Sequence, residues 1–195
     1  MLTPKGVLRA FSNVQPDASA LALQGLLTGE RSLETSAWLA KAGMSSSQLD
    51  ELVQQLWVQR LQRPLQGPDS KLDDFLQHVI ASLSGERRAV LASESGFCLA
   101  RAGVEQDDAD VLSAAAAAYS EFASKQARRG WSGASHFVSF HTDPEFLLPS
   151  TAFVPFWVDE AGYWLVIFGE PLLNSPALVE LLWGIKAAGT RFATG

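Results

Sequence analysis

Few side chains in this 195-residue chain have the type and spacing that chemistry requires: three histidines, His78, His136 and His141, one cysteine, Cys98, and an acidic run at residues 105–110. If residues 136–141 form one regular strand, the odd separation of His136 and His141 puts them on opposite faces, which defeats a shared metal. The chain has no HExxH, no CxxC and no Cys/His pairing. Gly130-Trp131-Ser132-Gly133 resembles a nucleophile turn but lacks the Gly-x-Ser-x-Gly spacing. Gly29-Glu30-Arg31 and Gly85-Glu86-Arg87-Arg88 lack the Lys-Ser/Thr that a phosphate-cradling loop needs. Asp107, Asp108 and Asp110 could form a metal cluster, yet they precede a helical stretch, where negative charge favours the macrodipole, so capping is the better reading. Arg128 and Arg129 at the far end of that stretch follow the same logic. These eliminations lead us to expect a protein that is not an enzyme and that carries no cofactor and no metal.

The elements that would have to position any site divide the chain near residues 66–70, where Gln66-Gly67-Pro68-Asp69-Ser70 joins a Gly-Pro breaker to polar flanks. The expected organisation is an N-terminal domain at 1–66 (its helices starting from about residue 18), a linker at 67–70 and an α/β domain at 71–195. Ser70 and Asp73 resemble a helix-start box. With 47% hydrophobic and 18% charged residues the chain has ample apolar material for buried cores. A formal charge of −6 argues against generic affinity for nucleic acid or anionic membrane. A lone cysteine excludes an internal disulfide and fits a reducing compartment. Its strand-like setting makes Cys98 a small packed hydrophobe. The start of the chain has no export signal, and the densest apolar stretch, 163–168, is about a third of the ~20 residues that span a bilayer. A cytoplasmic location is the expectation.

Upstream of the breaker, leucines at 21, 23, 26 and 27 suggest one helix, 33–41 a second, 42–44 a tight turn and 46–57 a third, with 58–65 as a short β-wing. Trp38, Ala42, Gly43, Met44, Leu49 and Leu52 carry the likeness: this unit, roughly 18–66, resembles a winged helix-turn-helix, with Leu39 where a small residue is usual. The third helix presents Gln48, Asp50, Glu51, Gln54 and Gln55 outward, a poor match to a phosphate backbone. Arg60 and Arg63 in the expected wing are the DNA-contact candidates of an alternative reading. In it the protein is a transcription regulator whose C-terminal domain dimerises or senses a ligand. A ligand sensor with a preformed internal cavity is a third possibility.

Downstream, the order is α-β-β-α-β-β-β-α. A helical apolar stripe (Leu72, Phe75, Leu76, Val79, Ile80, Leu83) leads into two short strand-like runs at Ala89–Ser93 and 97–101, joined at Glu94-Ser95-Gly96. A long alanine-rich helix spans about 108–128. Strands follow at 136–140, around 146–148 with 153–158, and at 163–168, and Ser175-Pro176 opens a last helix with an N-cap residue and a proline at the first helical position. The expected fold is an α/β sandwich with one antiparallel sheet, preceded by a small winged-helix-like helical domain. The hairpin at 90–100, the small-residue helix at 109–128 and the strand-to-helix passage at 163–192 make the domain similar to the Roadblock/LC7 family of dimeric scaffolds and regulators of small Ras-like GTPases. The resemblance implies a homodimer built with the alanine-rich helix and the neighbouring strand. It further implies a small GTPase or related signalling protein as partner, and regulation by positioning the partner's own catalytic groups. The segment 142–153, with Pro144 and Pro149, is longer and more irregular than that family expects.

The alanine-rich helix supports assembly on its own terms. Val111, Ala114, Ala115, Ala118 and Phe122 fall on one face and Leu112, Ala116, Tyr119 and Ala123 on an adjacent one, an apolar arc wider than one sheet contact demands. The first set is the candidate dimer interface. On the last helix Leu178, Leu181, Leu182, Ile185 and Phe192 share a face, with Val179, Trp183 and Lys186 beside it. These last three are candidates for a partner or interdomain surface.

Overall fold

Ala89, Val90, Leu91 and Ala92 all have no solvent exposure, which requires apolar cover on both faces of the strand that holds them. The computed structural model, which describes residues 1–68, 72–131, 138–142 and 148–192, supplies that cover. This strand, β1 (Ala89–Ser93), and β5 (Ala161–Phe168) form the middle of a five-stranded antiparallel sheet. With β2 (Cys98–Ala102), β3 (Val138–Phe140) and β4 (Thr151–Val158), the order is β2-β1-β5-β4-β3. Leu91 pairs with Ala100 but Ala92 with Cys98, so Leu99 is an extra, unpaired residue in β2, and its side chain is exposed. The β4–β5 connection has only two residues, Asp159 and Glu160, both at positive φ (49° and 68°) as such a tight hairpin requires.

One face of the sheet meets α5 (Leu72–Ala81), α7 (Pro176–Phe192) and the N-terminal helices; the other meets α6 (Gln106–Ala127). The N-terminal unit comprises α1 (Pro4–Phe11), α2 (Ala18–Gln24), a single 3₁₀ turn (Gly25–Leu27), α3 (Thr35–Ala42) and α4 (Ser46–Gln54). Local chemistry starts and stops these helices. Thr3 Oγ1 accepts from Gly6 N at 3.0 Å ahead of Pro4, and Asp17 Oδ1 accepts from Ala20 N at 2.8 Å. Ser45 and Gln48 close a reciprocal capping box. Gly43, at φ 64°, ends α3 in the left-handed region that favours glycine.

The two units share one apolar core. Val7, Phe11, Leu23, Leu27 and Trp38 belong to the same buried cluster as Leu165, Ile167, Leu178 and Leu182. Trp183 is the clearest link: its indole is 2% exposed and its Nε1 donates to Gly29 O at 2.7 Å. Gly67 lies on the same ring, where an added Cβ would come within 2.8 Å of Trp183 Cε2. Nearby, Lys186 Nζ donates to Asp159 Oδ1 at 2.6 Å, pinning the end of the tight hairpin to α7.

Several expectations are corrected. Residues 4–11, outside the expected helices, form α1, whose apolar side packs on α2 and α7. No hairpin wing follows α4 at 58–65. That stretch bends at Gln62 and Arg63, and only isolated bridges flank it, from Val58 to Leu2 and from Gln66 to Arg31, because its polar sequence offers no paired apolar face. Val179, Trp183 and Lys186 are not available to an outside partner, since all three are buried and Trp183 is taken by the N-terminal unit. Leu148 and Pro149 are not in a strand; β4 begins at Thr151. The rest of the expected strand around 146–148, the start of the expected strand at 136–140 including His136, Pro144, Ser70 of the helix-start box, and Ser132 and Gly133 of the turn at 130–133 lie outside the described residues. So do the side chains of Leu72, Asp73 and Phe192.

Because one core serves both units, Trp183→Ala is expected to cost about 3–5 kcal/mol. Denaturant unfolding followed by far-ultraviolet circular dichroism and by tryptophan fluorescence should show a single coincident transition for wild type. Two separated transitions would show that the units unfold independently.

Candidate functional site

A five-stranded sheet is about 19 Å wide at the usual strand spacing of ~4.8 Å, whereas a helix with its side chains is about 10 Å across. On the face that carries Val90, Ala92, Phe153, Trp164 and Val166, α6 is the one helix among the described residues, and it lies on β1, β2 and β5. Its contact side is made of small residues. Ala109, Ser113, Ala116 and Ala123 are buried, and Gly96 in the β1–β2 turn sits where an added Cβ would be 3.1 Å from Ala117 Cβ. Ser113 Oγ satisfies itself on Ala109 O at 2.7 Å, and Trp164 Nε1 donates to Ser120 Oγ at 2.6 Å, fastening the helix to β5.

The β4–β3 half of this face is covered by aromatic rings instead of a helix. Tyr119 lies edge-on to Phe153 at 5.0 Å and 6.1 Å from Trp164, and it reaches Phe140 on β3 at 6.3 Å. Phe140 remains 47% exposed. Burial raises the Tyr119 phenol above its ordinary pKa.

Beside these rings the outer side of α6 is apolar and open. Val111 is 69% and Phe122 48% exposed, Ala114 and Ala118 are exposed, and Ala115 is half-buried. Spaced i, i+3, i+7 and i+11, Val111, Ala114, Ala118 and Phe122 form a stripe roughly 16 Å long. Phe122 packs edge-on to Trp131, itself 56% exposed, at 6.3 Å. All five residues expected at a dimer interface therefore stand together on or beside one open stripe. Phe140 and Trp131 extend it. From sequence, the strand edge at 136–140 is a candidate partner surface, and the alternation of Val138 and Phe140 puts those two on one face, whereas no sequence signal placed Trp131 beside the stripe.

The remaining candidates separate. Arg60 pairs with Asp50 on α4 at 2.7 Å, so its charge is already answered by the helix that would read DNA, and Arg63 is exposed. Gln48 is engaged in the α4 cap. Asp107 and Asp108 lie in the first turn of α6, and Asp110 accepts from Gln106 Nε2 at 2.8 Å. Among the described residues no three His, Cys, Asp or Glu side chains are grouped to hold a metal. Cys98 is half-buried; burial first, and then the charge of Asp110, push its thiol up, away from the reactive thiolate. No helix among the described residues is long and apolar enough to cross a membrane.

No protein-family model, no curated protein and no solved structure matches the chain.

The geometry separates two kinds of substitution on this face. Phe153→Ala, beneath the rings, is expected to cost about 3–5 kcal/mol. Ala118→Glu, on the open stripe, should change the stability of a single protomer by about 0.5 kcal/mol or less. Urea melts at low protein concentration measure both. A large loss from Ala118→Glu under those conditions would place Ala118 inside the protomer's own core.

Proposed function

We propose that this protein is a non-catalytic regulatory or scaffold protein that forms a homodimer and binds a small Ras-like GTPase or a related signalling complex in the cytoplasm. The observation that carries the reading is the open stripe Val111–Ala114–Ala118–Phe122 beside a half-sheet that, among the described residues, is covered by rings and no helix. A second copy, related by a two-fold axis, would lay its own α6 over Phe140 and Phe122 and supply the helix that half of the sheet lacks among the described residues. Alanines at 114 and 118 permit close approach of the two helices. The sheet order β2-β1-β5-β4-β3, with one long helix crossing after the first hairpin, supports the Roadblock-like reading from which the GTPase comes. Fold-level likeness is a warrant for a class of partner, not for its identity.

The competing reading, a DNA-binding transcription regulator, finds little support in the N-terminal unit. Helix α4 carries Asp50 and Glu51 outward, Arg60 is paired, and the expected wing is missing. Neutralising phosphates requires free cations along the contact surface.

Light scattering at tens of micromolar should return twice the chain mass of 21.1 kDa. Ala118→Glu should return the chain mass, because a carboxylate buried without a partner costs about 3–5 kcal/mol. A monomeric wild type, or a dimer that tolerates both Ala115→Glu and Ala118→Glu while folded, rejects the helix-mediated assembly.

The isolated protein is expected neither to hydrolyse GTP nor to retain nucleotide, and any effect on turnover should appear only when a GTPase partner is added. Saturable turnover by the protein alone would overturn the non-catalytic reading.

A further inference from the structure

Helix α6 buries Ala109, Ser113, Ala116 and Ala123 against the sheet and leaves Val111 and Phe122 open on its opposite side. Asp107 and Lys125 bracket those two. They are 18 residues apart, five turns at about 3.6 residues each, so both fall on the same outward side. Along that side the order is Asp107, Val111, Ala114, Ala118, Phe122, Lys125, and all six are exposed. An acid stands at one end, a base at the other, and apolar side chains between.

Neighbouring charges reinforce both ends. Glu105 and Asp108 flank Asp107, and Arg128 and Arg129 follow Lys125. The side chains of Asp107, Arg128 and Arg129 make no ion pair among the described residues. Lys125 reaches Glu121 one turn back on its own helix at 2.5 Å, an exposed contact of the weak kind. The helix macrodipole favours an acid in the first turn and a base in the last on any side of a helix. It does not account for their alignment with the open apolar residues.

Such an order is complementary to itself when two copies run antiparallel, and repels itself when they run parallel. A two-fold axis level with residue 116, near the middle of α6, sets Val111 against Phe122 of the second copy. The same axis sets Ala114 against Ala118 and Asp107 against Lys125, each contact being made twice. Parallel helices would put Asp107 on Asp107 and Lys125 on Lys125.

Resting on the homodimer reading above, we propose that α6 pairs with α6 of a second copy in this antiparallel register. The Asp107–Lys125 contacts at the two ends then fix orientation and alignment and disfavour parallel or slipped pairing.

Two sets of variants of the full-length protein test the register. In a Cys98→Ser background, chains carrying Val111→Cys and chains carrying Phe122→Cys are oxidised separately and as a mixture. The mixture should form a disulfide-linked dimer and neither chain alone should, because two copies of position 111 lie about 15 Å apart along the axis in this register, beyond the ~7 Å that a disulfide allows. Asp107→Lys and Lys125→Glu, each alone, place like charges at both ends and should raise the dissociation constant about tenfold at low salt. The double variant, and an equal mixture of the two single variants, should return to within about threefold of wild type. Salt at roughly 1 M should erase the single-variant penalties. Analytical ultracentrifugation reads the constants, and far-ultraviolet circular dichroism confirms that each variant is folded. A wild type that is monomeric at tens of micromolar removes the homodimer and this pairing with it. A wild-type dimer in which Val111→Cys chains link to themselves, the mixed chains fail to link, the single swaps change nothing, or the double swap fails to restore affinity keeps the homodimer and rejects this register.

Discussion

A sheet whose central strands are apolar on both faces must be covered twice, and the rest of this structure answers that demand. The side chains of β1 and the middle of β5 alternate between two clusters, Leu91, Leu165 and Ile167 to one side and Val90, Trp164 and Val166 to the other. Antiparallel sheets commonly leave one face to water, in which case a strand alternates apolar with polar residues. Here it does not. On one side α5, α7 and the N-terminal helices pack against it. On the other, among the described residues, a single helix lies over β1, β2 and β5 and leaves the β4–β3 edge to aromatic rings. The open stripe on α6 follows from this imbalance.

The N-terminal unit is part of the cover. Phe11 of α1 and Leu27 of the 3₁₀ turn share a cluster with Leu178 and Leu182 of α7, and Trp183 reaches across to a backbone carbonyl at Gly29. A large aromatic side chain with one donor suits such a place, since it buries much apolar area and needs a single acceptor. This arrangement also explains why a unit with helix-turn-helix spacing lacks a wing. The stretch after α4 is drawn back along Leu2 and Arg31 toward the junction and does not fold on itself. A cleft remains at that junction where α7, α5 and this returning strand converge.

Local conformations at the junction are held by nonlocal contacts. Asp159 and Glu160 occupy the left-handed region without being glycine, a cost of order 1 kcal/mol or more each. The Lys186 ammonium, almost fully buried, holds Asp159 in place from α7. A buried lysine paired to a partly exposed carboxylate contributes little net stability, but breaking it would leave a charge in an apolar setting. The pair therefore specifies where the hairpin docks more than how strongly it docks.

Much of the fold and of the α6 stripe was legible in the chain alone, since both rest on short-range periodicity. The strand Ala89–Ser93 has the expected bounds, α6 and α7 begin within two residues of their signals, and the residues 111, 114, 115, 118 and 122 share a side of one helix because 3.6 residues per turn requires it. Capping and glycine signals placed α3 and α4 in the same way. What periodicity cannot say is which of two apolar arcs on a helix meets the core and which is left open. For α6 the left-over arc is the open stripe; for α7 both arcs are buried, because α1 and the Gly29 turn arrive from more than a hundred residues away. Sequence by itself thus determined the elements and their amphipathic faces, through interactions between residues a few positions apart. Only the tertiary structure decided that Trp183 is a junction anchor, that Phe140 and Trp131 extend the stripe, and that a cleft remains between the units, because each depends on contacts between segments distant in the chain.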